Sequence, residues 1–228
     1  MNRSIALAAL LIPAICLADD LEKLRDQQDR AGLAQNAAAL AAVAEKTPGD
    51  ANAWYRASIA QSFLAEIAME LGDKKGAEQA AEDGVKDAEK AIVLKGNVAD
   101  YYRVLGTLCG QVIPANPIMG ALAYGRRAKD ALDKAVEMDP KSAKAFVAHG
   151  VGYYYLPANF GGGPDNAIKD FRQALALDPK NAEAYLWMGI SMRKLHQNAR
   201  AREAFAKSLQ LDPNRAWTKA QLDKTPPR

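Results

Sequence analysis

The side chains of this chain that could carry out chemistry are few and far apart. Its two histidines are His149 and His196, and its two cysteines are Cys16 and Cys109. Imidazole and thiol groups act as bases, nucleophiles or metal ligands when a fold brings them together. The sequence contains no HExxH or CxxC motif and no cluster of carboxylates around a histidine. It therefore predicts no catalytic residue, no metal site and no cofactor.

Each of these residues has a structural interpretation. His149 falls within an apolar helical pattern, and we expect it to be a partly buried structural histidine. His196 lies between two predicted helices, and we expect it to be exposed in their turn. Cys109 lies on an apolar helix face, which predicts a buried small hydrophobic residue rather than a reactive thiol.

The triple glycine Gly161–Gly163 could in principle bind an anion. Successive backbone N–H groups at a helix start form such sites. No strand precedes this segment, however, and no GKS or GKT follows it. The pattern favours a flexible connector that lets Phe160 pack against the helices.

The first residues have the pattern of a secretory signal peptide. A positive start that includes Arg3 is followed by an apolar stretch from Ile5 to Ile15 and small residues up to Ala18. We expect cleavage after Ala18, a periplasmic or secreted protein, and no transmembrane anchor after cleavage. Two alternatives remain: a helix of the mature fold, or a lipoprotein with Cys16 lipidated. The second conflicts with Ile15, because a lipobox has a small residue there.

The composition favours a helical protein that does not bind nucleic acid. The chain has 228 residues, of which 7% are aromatic, and its formal net charge is +3. Basic residues are interspersed with acidic ones, so no basic stripe forms that would suit a nucleic acid. No apolar run reaches the roughly 20 residues that a membrane-spanning helix needs.

Internal repeats organise most of the chain. Asp178-Pro179 and Asp212-Pro213 lie 34 residues apart, and Asp139-Pro140 closes an earlier unit. Proline cannot continue a helix, so each dipeptide ends a helix pair. We aligned the units on these dipeptides. In the first helix the units share an aromatic position followed by a small one, and in the second helix they share a small position followed by a large apolar one. These positions hold Trp54, Tyr102, Phe146 and Tyr185; Ser58, Gly106, Gly150 and Gly189; Ala128, Ala167 and Ala201; and Leu132, Phe171 and Phe205.

The repeats divide the chain into four parts. Residues 1–18 form the signal peptide, 19–50 a degenerate helix pair, 51–213 the regular units, and 214–228 a capping helix and tail. Two insertions, near 111–120 and 157–163, interrupt the 34-residue period inside helix pairs. They are the most individual features of the sequence.

The repeat resembles the tetratricopeptide repeat (TPR). Asn181–Pro213 carries its signature nearly complete, and the resemblance covers most of the mature chain. The matching residues there are Tyr185, Met188, Gly189, Met192, Ala201, Phe205, Ser208 and Pro213. The resemblance implies an all-α fold: a right-handed α-solenoid of antiparallel helix pairs, with about four units plus end helices. Together with the signal peptide, it implies an exported bacterial TPR protein.

The resemblance also implies a binding surface. In such arrays the first helices line a concave groove through their second, fifth, ninth and twelfth positions. The predicted partner-binding residues are Tyr55, Ile59, Arg103, Thr107, Val147, Val151, Tyr154, Leu186, Ile190 and Arg193. The variant of the repeat that clamps acidic C-termini needs Lys and Asn at the fifth and ninth positions, which this chain lacks.

We therefore expect a non-enzymatic interaction scaffold or adaptor of the cell envelope that binds a peptide or protein segment in this groove. The alternative is a periplasmic carrier of a small apolar ligand, associated with a transporter and holding the ligand between the superhelix and the two insertions. A further possibility is that the groove residues pack against an inserted loop or the tail.

Overall fold

A computed structural model describes residues 17–115 and 117–227. The predicted signal peptide lies almost entirely outside these residues. The described chain is helical and contains no strand. Its helices are α1 (Leu17–Asp26), α2 (Arg30–Lys46), α3 (Ala51–Glu70), α4 (Lys74–Leu94), α5 (Ala99–Val112), α6 (Pro117–Gly120), α7 (Arg126–Met138), α8 (Ala143–Tyr155), α9 (Pro164–Leu177), α10 (Ala182–Lys194), α11 (Asn198–Leu211) and α12 (Ala216–Asp223).

Helix boundaries follow from local signals in the sequence. The side chain of Asp73 accepts a hydrogen bond from the backbone N–H of Gly76 (2.9 Å) and caps α4. Asn181 caps α10 in the same way, through the N–H of Ala184 at 2.9 Å. Such caps satisfy backbone N–H groups that have no partner within the helix. Pro164 occupies the first turn of α9, where its missing N–H costs nothing.

The helices pair as the repeat register predicts. α3 packs on α4, α5 on α7, α8 on α9, and α10 on α11. A Cβ atom added to Gly189 would lie 2.6 Å from Cε1 of Phe205, and one added to Gly150 would lie 2.6 Å from Cε1 of Phe171. In these two pairs the glycine therefore allows the first helix to approach a large ring on the second. The predicted all-α solenoid of antiparallel helix pairs is confirmed.

The pairs form a curved double layer. The first helices α3, α5, α8 and α10 contact one another in sequence, whereas the second helices mainly contact first helices. The layer in which the helices stand closer together is the inner, concave one. Because all first helices run in the same direction, the turns inside the pairs lie along one edge of the solenoid, and the links between pairs lie along the other.

Both insertions lie at the edge formed by the turns within pairs. The first insertion continues from α6 through a π-helical segment, Ala121–Gly125, into α7. The second forms a 3₁₀ turn, Ala158–Phe160, followed by Gly161 and Gly163 at φ values of 84° and 108°. These left-handed conformations favour glycine. Phe160 is 68% exposed, so the expectation that it packs against the helices was wrong.

Candidate functional site

The concave face contains three groups of predicted binding residues, one on each of α3, α5 and α8. Tyr55 and Ile59 are half-buried residues of α3. The hydroxyl of Tyr55 donates a hydrogen bond to Asp100 of α5, and its ring lies 4.8 Å from that of Tyr101. These contacts hold the ring against the next helix and leave part of it open to the groove.

On α5, Arg103 and Thr107 lie one turn apart. The guanidinium of Arg103 donates to Asp100, with Nη2 3.0 Å from Oδ2. Burial would raise the pKa of Asp100, but the hydrogen bonds from Arg103 and Tyr55 outweigh it and lower that pKa. The hydroxyl of Thr107 donates to the carbonyl of Arg103 at 3.0 Å. The middle of the groove therefore carries a fixed cation–carboxylate pair.

On α8, the half-buried side chains of Val147, Val151 and Tyr154 follow the groove. The ring of Tyr154 meets that of Trp187 edge to face at 5.8 Å, and Lys194 Nζ lies 4.8 Å from its centre. Aromatic and aliphatic groups next to the polar pair on α5 give this part of the face a mixed chemistry that suits a peptide.

The predicted residues of α10 are covered by the C-terminal segment. Leu186 is fully buried and Ile190 is 5% exposed, because Trp217 and Leu222 pack against them. Arg193 donates to the side chain of Gln221 at 2.5 Å and also to its backbone carbonyl at 3.1 Å. These three predictions need correction: Leu186 and Ile190 belong to the core, and Arg193 anchors the tail.

The N-terminal helix crosses the concave face. Arg25 of α1 lies 5.0 Å from the ring centre of Phe63 on α3 and 3.5 Å from Glu183 on α10. Glu22 lies 4.0 Å from Lys144, at the start of α8. Helix α1 thus occupies part of the groove that the sequence predicted to be open. The contact of α1 with three units was not predicted.

Arg215, between α11 and α12, joins the two ends of the solenoid. Its side chain is 1% exposed and lies 2.5 Å from Glu66, 2.5 Å from Glu70 and 3.1 Å from Glu183. Asp26 of α1 is 3.8 Å away. The first two carboxylates belong to α3 and the third to α10, so one guanidinium links the first regular pair to the last.

This arrangement, the Arg215 cluster (Arg25, Asp26, Glu66, Glu70, Glu183 and Arg215), holds more carboxylates than guanidinium groups. Burial raises the pKa of Glu66 to about 7, against the opposing effect of Arg215. Burial also raises the pKa of Glu70. The burial of Arg215 would lower its pKa, but the carboxylates, Glu183 first, raise it. The guanidinium therefore stays charged.

The sequence contains a feature that sets Arg215 apart, which the repeat alignment did not use. Two residues after each closing proline stand Ser142 and Asn181, which cap the helices that follow. In the last unit this position holds Arg215, which cannot accept a capping hydrogen bond. The loss of the capping residue distinguishes this unit from the two before it.

Elsewhere, the titratable side chains have structural roles. His149 is 2.7 Å from Asp170 through Nδ1 and 2.9 Å from Asp133 through Nε2, as expected of a structural histidine. Cys109 is fully buried, and burial raises its thiol pKa to about 11, which suppresses thiolate reactivity. No group of three or more metal-binding side chains forms within the described residues. None of the described helices is long and apolar enough to cross a membrane.

Stacked antiparallel helix pairs, with small residues of the first helix facing the second helix, define a TPR solenoid, the fold of protein-interaction scaffolds. The chain belongs to the family described as Regulator of microtubule dynamics protein 1-3, whose family model matches residues 17–224.

Individual proteins show the same repeat. Small glutamine-rich tetratricopeptide repeat-containing protein 2 of Mycosarcoma maydis is 32% identical over 107 residues, which is 47% of this chain and 29% of that protein. This chain thus spans under a third of the length of that curated relative.

Two solved structures are similar in fold. The thermophilic TPR protein TTC0263 of Thermus thermophilus has a TM-score of 0.61 at 20% identity, and covers 90% of this chain and 98% of its own. The HusA haemophore from Porphyromonas gingivalis has a TM-score of 0.57 at 19% identity, over 86% and 93% respectively. At these identities the likeness concerns the fold alone.

Proposed function

We propose that this protein is a non-enzymatic scaffold of the cell envelope that binds a peptide or protein segment on the uncovered part of its concave face. The observation that carries the proposal is a continuous line of half-buried side chains across α3, α5 and α8. They are Tyr55, Ile59, Arg103, Thr107, Val147, Val151 and Tyr154. We define this line as the open groove.

The open groove is largely formed before binding. Tyr55 and Arg103 are already fixed by Asp100, and Tyr154 is fixed by the ring of Trp187. Side chains that are ordered in advance lose little entropy when a partner arrives. Aromatic and arginine anchors in a concave surface are the groups that contribute most to such contacts.

The two insertions argue against a small-molecule carrier. That hypothesis requires them to close over the groove with their apolar side chains inward. Ile118 is 82% exposed and Phe160 is 68% exposed, so these side chains face solvent instead. Native mass spectrometry of the purified protein tests the point directly, because a carrier would retain a small-molecule mass.

Affinity capture from the periplasmic fraction tests the scaffold. We expect the joint substitutions Arg103→Ala and Tyr154→Ala to weaken capture of specific partners at least about tenfold, in the range of interface anchors. Arg172→Ala, an exposed change on the outer helix α9, is the matched control. Equal capture by the double variant and the wild type would refute the groove.

Export belongs to the same proposal and has a separate test. It rests on the positive start, the apolar stretch and the small residues before Asp19. N-terminal sequencing of protein from the periplasmic fraction should give a mature chain that begins at Asp19. A full-length chain found only in the cytoplasm would contradict export and leave the groove proposal standing.

A further inference from the structure

The first insertion exposes an unusual amount of apolar surface. Ile118 is 82% exposed and Leu122 is 78% exposed. They lie one turn apart, on α6 and on the π-helical segment that follows. Aliphatic side chains on one helix face form a continuous apolar surface, and removing that surface from water is favourable.

Neighbouring pairs expose apolar side chains at the same edge. Leu71 is the C-cap of α3 and is 53% exposed, and Phe160 follows α8 and is 68% exposed. The first helices are parallel, so the turns after α3, α5 and α8 stand in a row. We call this row, residues 71–75, 117–126 and 157–161, the hairpin edge.

The hairpin edge also carries exposed cations. Lys74 and Lys75, both exposed, begin α4 three and four residues after Leu71. Arg126 begins α7 one turn after Leu122, and its side chain is 91% exposed although it lies 3.4 Å from Asp130. Asp73, the acidic residue of the turn after α3, accepts hydrogen bonds from Arg30 and from the backbone N–H of Gly76. At the first two turns, apolar groups therefore stand beside exposed positive charge.

We propose that the hairpin edge binds the surface of an anionic lipid bilayer. Its apolar side chains would enter the boundary between head groups and acyl chains. Lysines and arginines next to them would lie among the anionic head groups, which attract them electrostatically.

The spacing of the hairpin edge favours a bilayer over a protein partner. Adjacent parallel helices stand about 8–10 Å apart, so three turns present their apolar groups at separate points along a line. A plane contacts such points together, whereas a stable protein interface needs about 800 Å² of contiguous, complementary surface on each partner. Bilayer binding at this edge also leaves the concave face accessible.

Co-sedimentation with vesicles tests the proposal. The probes are vesicles of equal parts phosphatidylglycerol and phosphatidylcholine, and vesicles of phosphatidylcholine alone. We expect the wild type to bind the anionic vesicles and Ile118→Ser with Leu122→Ser to bind them at least about tenfold more weakly. The matched control is Val93→Ser with Leu94→Ser. These two apolar side chains, exposed by 85% and 44%, end α4 at the opposite edge.

A second pair of substitutions isolates the charge. Lys74→Glu with Lys75→Glu places acids in the first turn of α4, where the helix dipole favours them, so the fold is preserved. We expect weaker binding to anionic vesicles and a smaller decrease of binding with added salt.

Three results would overturn the proposal. The first is a wild type that does not sediment with anionic vesicles, and the second is equal loss of binding in the variants at the two edges. The third is a dimer in sedimentation velocity that Ile118→Ser with Leu122→Ser dissociates, without any vesicle binding. That result would assign the edge to a second copy of the chain.

Discussion

Replacing Arg215 by methionine tests whether the ends of the solenoid are joined by charge. Methionine fills a similar volume but carries no charge. The substitution leaves Glu66, Glu70, Glu183 and Asp26 with Arg25 as the remaining guanidinium of the Arg215 cluster. Removing one partner from a buried ion pair costs about 3–5 kcal/mol.

The structure indicates the lower end of that range. Only Glu70 is as buried as Arg215, with a side chain 3% exposed. Glu66 and Glu183 are about one quarter exposed. Water can therefore replace part of the hydrogen bonding that the guanidinium provided to these carboxylates. We therefore expect a loss of ~3 kcal/mol in the free energy of unfolding at pH 8.

The loss should be smaller in acid. Burial already raises the pKa of Glu66 to about 7 in the wild type, and removing the cation raises it further. A carboxyl whose pKa is higher in the folded state than in the unfolded state binds protons on folding, so its penalty grows as pH rises through that pKa. At pH 5.5 the Glu66 carboxyl of the variant is largely neutral, and its share of the difference from the wild type should disappear. Burial would raise the pKa of Glu183, but Arg25 and Arg215 lower it, so the part of the loss that comes from Glu183 should remain.

Urea unfolding followed by tryptophan fluorescence and by far-UV circular dichroism is the assay. With a slope of about 2 kcal/mol per M, a loss of ~3 kcal/mol lowers the midpoint by about 1.5 M. The control is Arg200→Met on α11, which removes an exposed arginine that donates a hydrogen bond to nearby Gln197 (3.2 Å). If Arg215→Met unfolds within ~1 kcal/mol of this control at pH 8, the charge link contributes little and our reasoning is refuted.

Two further predictions concern local packing and pH. His149 can donate hydrogen bonds from both ring nitrogens only as an imidazolium. Burial would lower its pKa, but hydrogen bonds to Asp170 and Asp133 raise it. The stabilisation from these hydrogen bonds is therefore present at low pH and lost as pH rises through the pKa of the folded state. His149→Gln should therefore cost about 1 kcal/mol more at pH 6 than at pH 9 in urea unfolding, and an equal cost at both pH values would refute the charged form. Gly189→Ala should destabilise by about 1–3 kcal/mol, because its methyl group would overlap the ring of Phe205. By contrast, Gly110→Ala, where the added methyl meets open space, should stabilise by about 0.5–1 kcal/mol, and thermal unfolding of both variants compares them.

The architecture could be predicted because its determinants are local. Gly189 and Phe205 belong to one helix pair, and the Asp-Pro dipeptides end helices without help from distant residues. Each unit repeats the same helix pair, so a weak match to the repeat in one unit is compensated by clear matches in the others. The last unit, Asn181–Pro213, contains α10 and α11, as its signature predicts.

The groove could be predicted only in part because its cover is not local. Leu186 occupies a position that faces the groove in the repeat, but α12 packs over it. Arg215 bonds to Glu66 across a separation of 149 residues. Such contacts depend on the curvature summed over all the units, and no periodic signal in the sequence encodes that sum. The exposure of Phe160 escaped prediction because the pattern favoured its burial.

The position of α1 sets the size of what the open groove can hold. The groove crosses three helices, α3, α5 and α8, whose axes are about 8–10 Å apart, so it spans roughly 20 Å. An extended peptide of about six residues covers that length at 3.3 Å per residue, and a helix covers it with about thirteen residues at 1.5 Å per residue. A longer ligand must displace α1 or, beyond α8, the C-terminal segment that covers α10. Both are tethered to the same chain and compete at an effective concentration in the mM range. The proposed scaffold would therefore select short linear segments, and a long segment would bind only if its affinity sufficed to displace one of these covers.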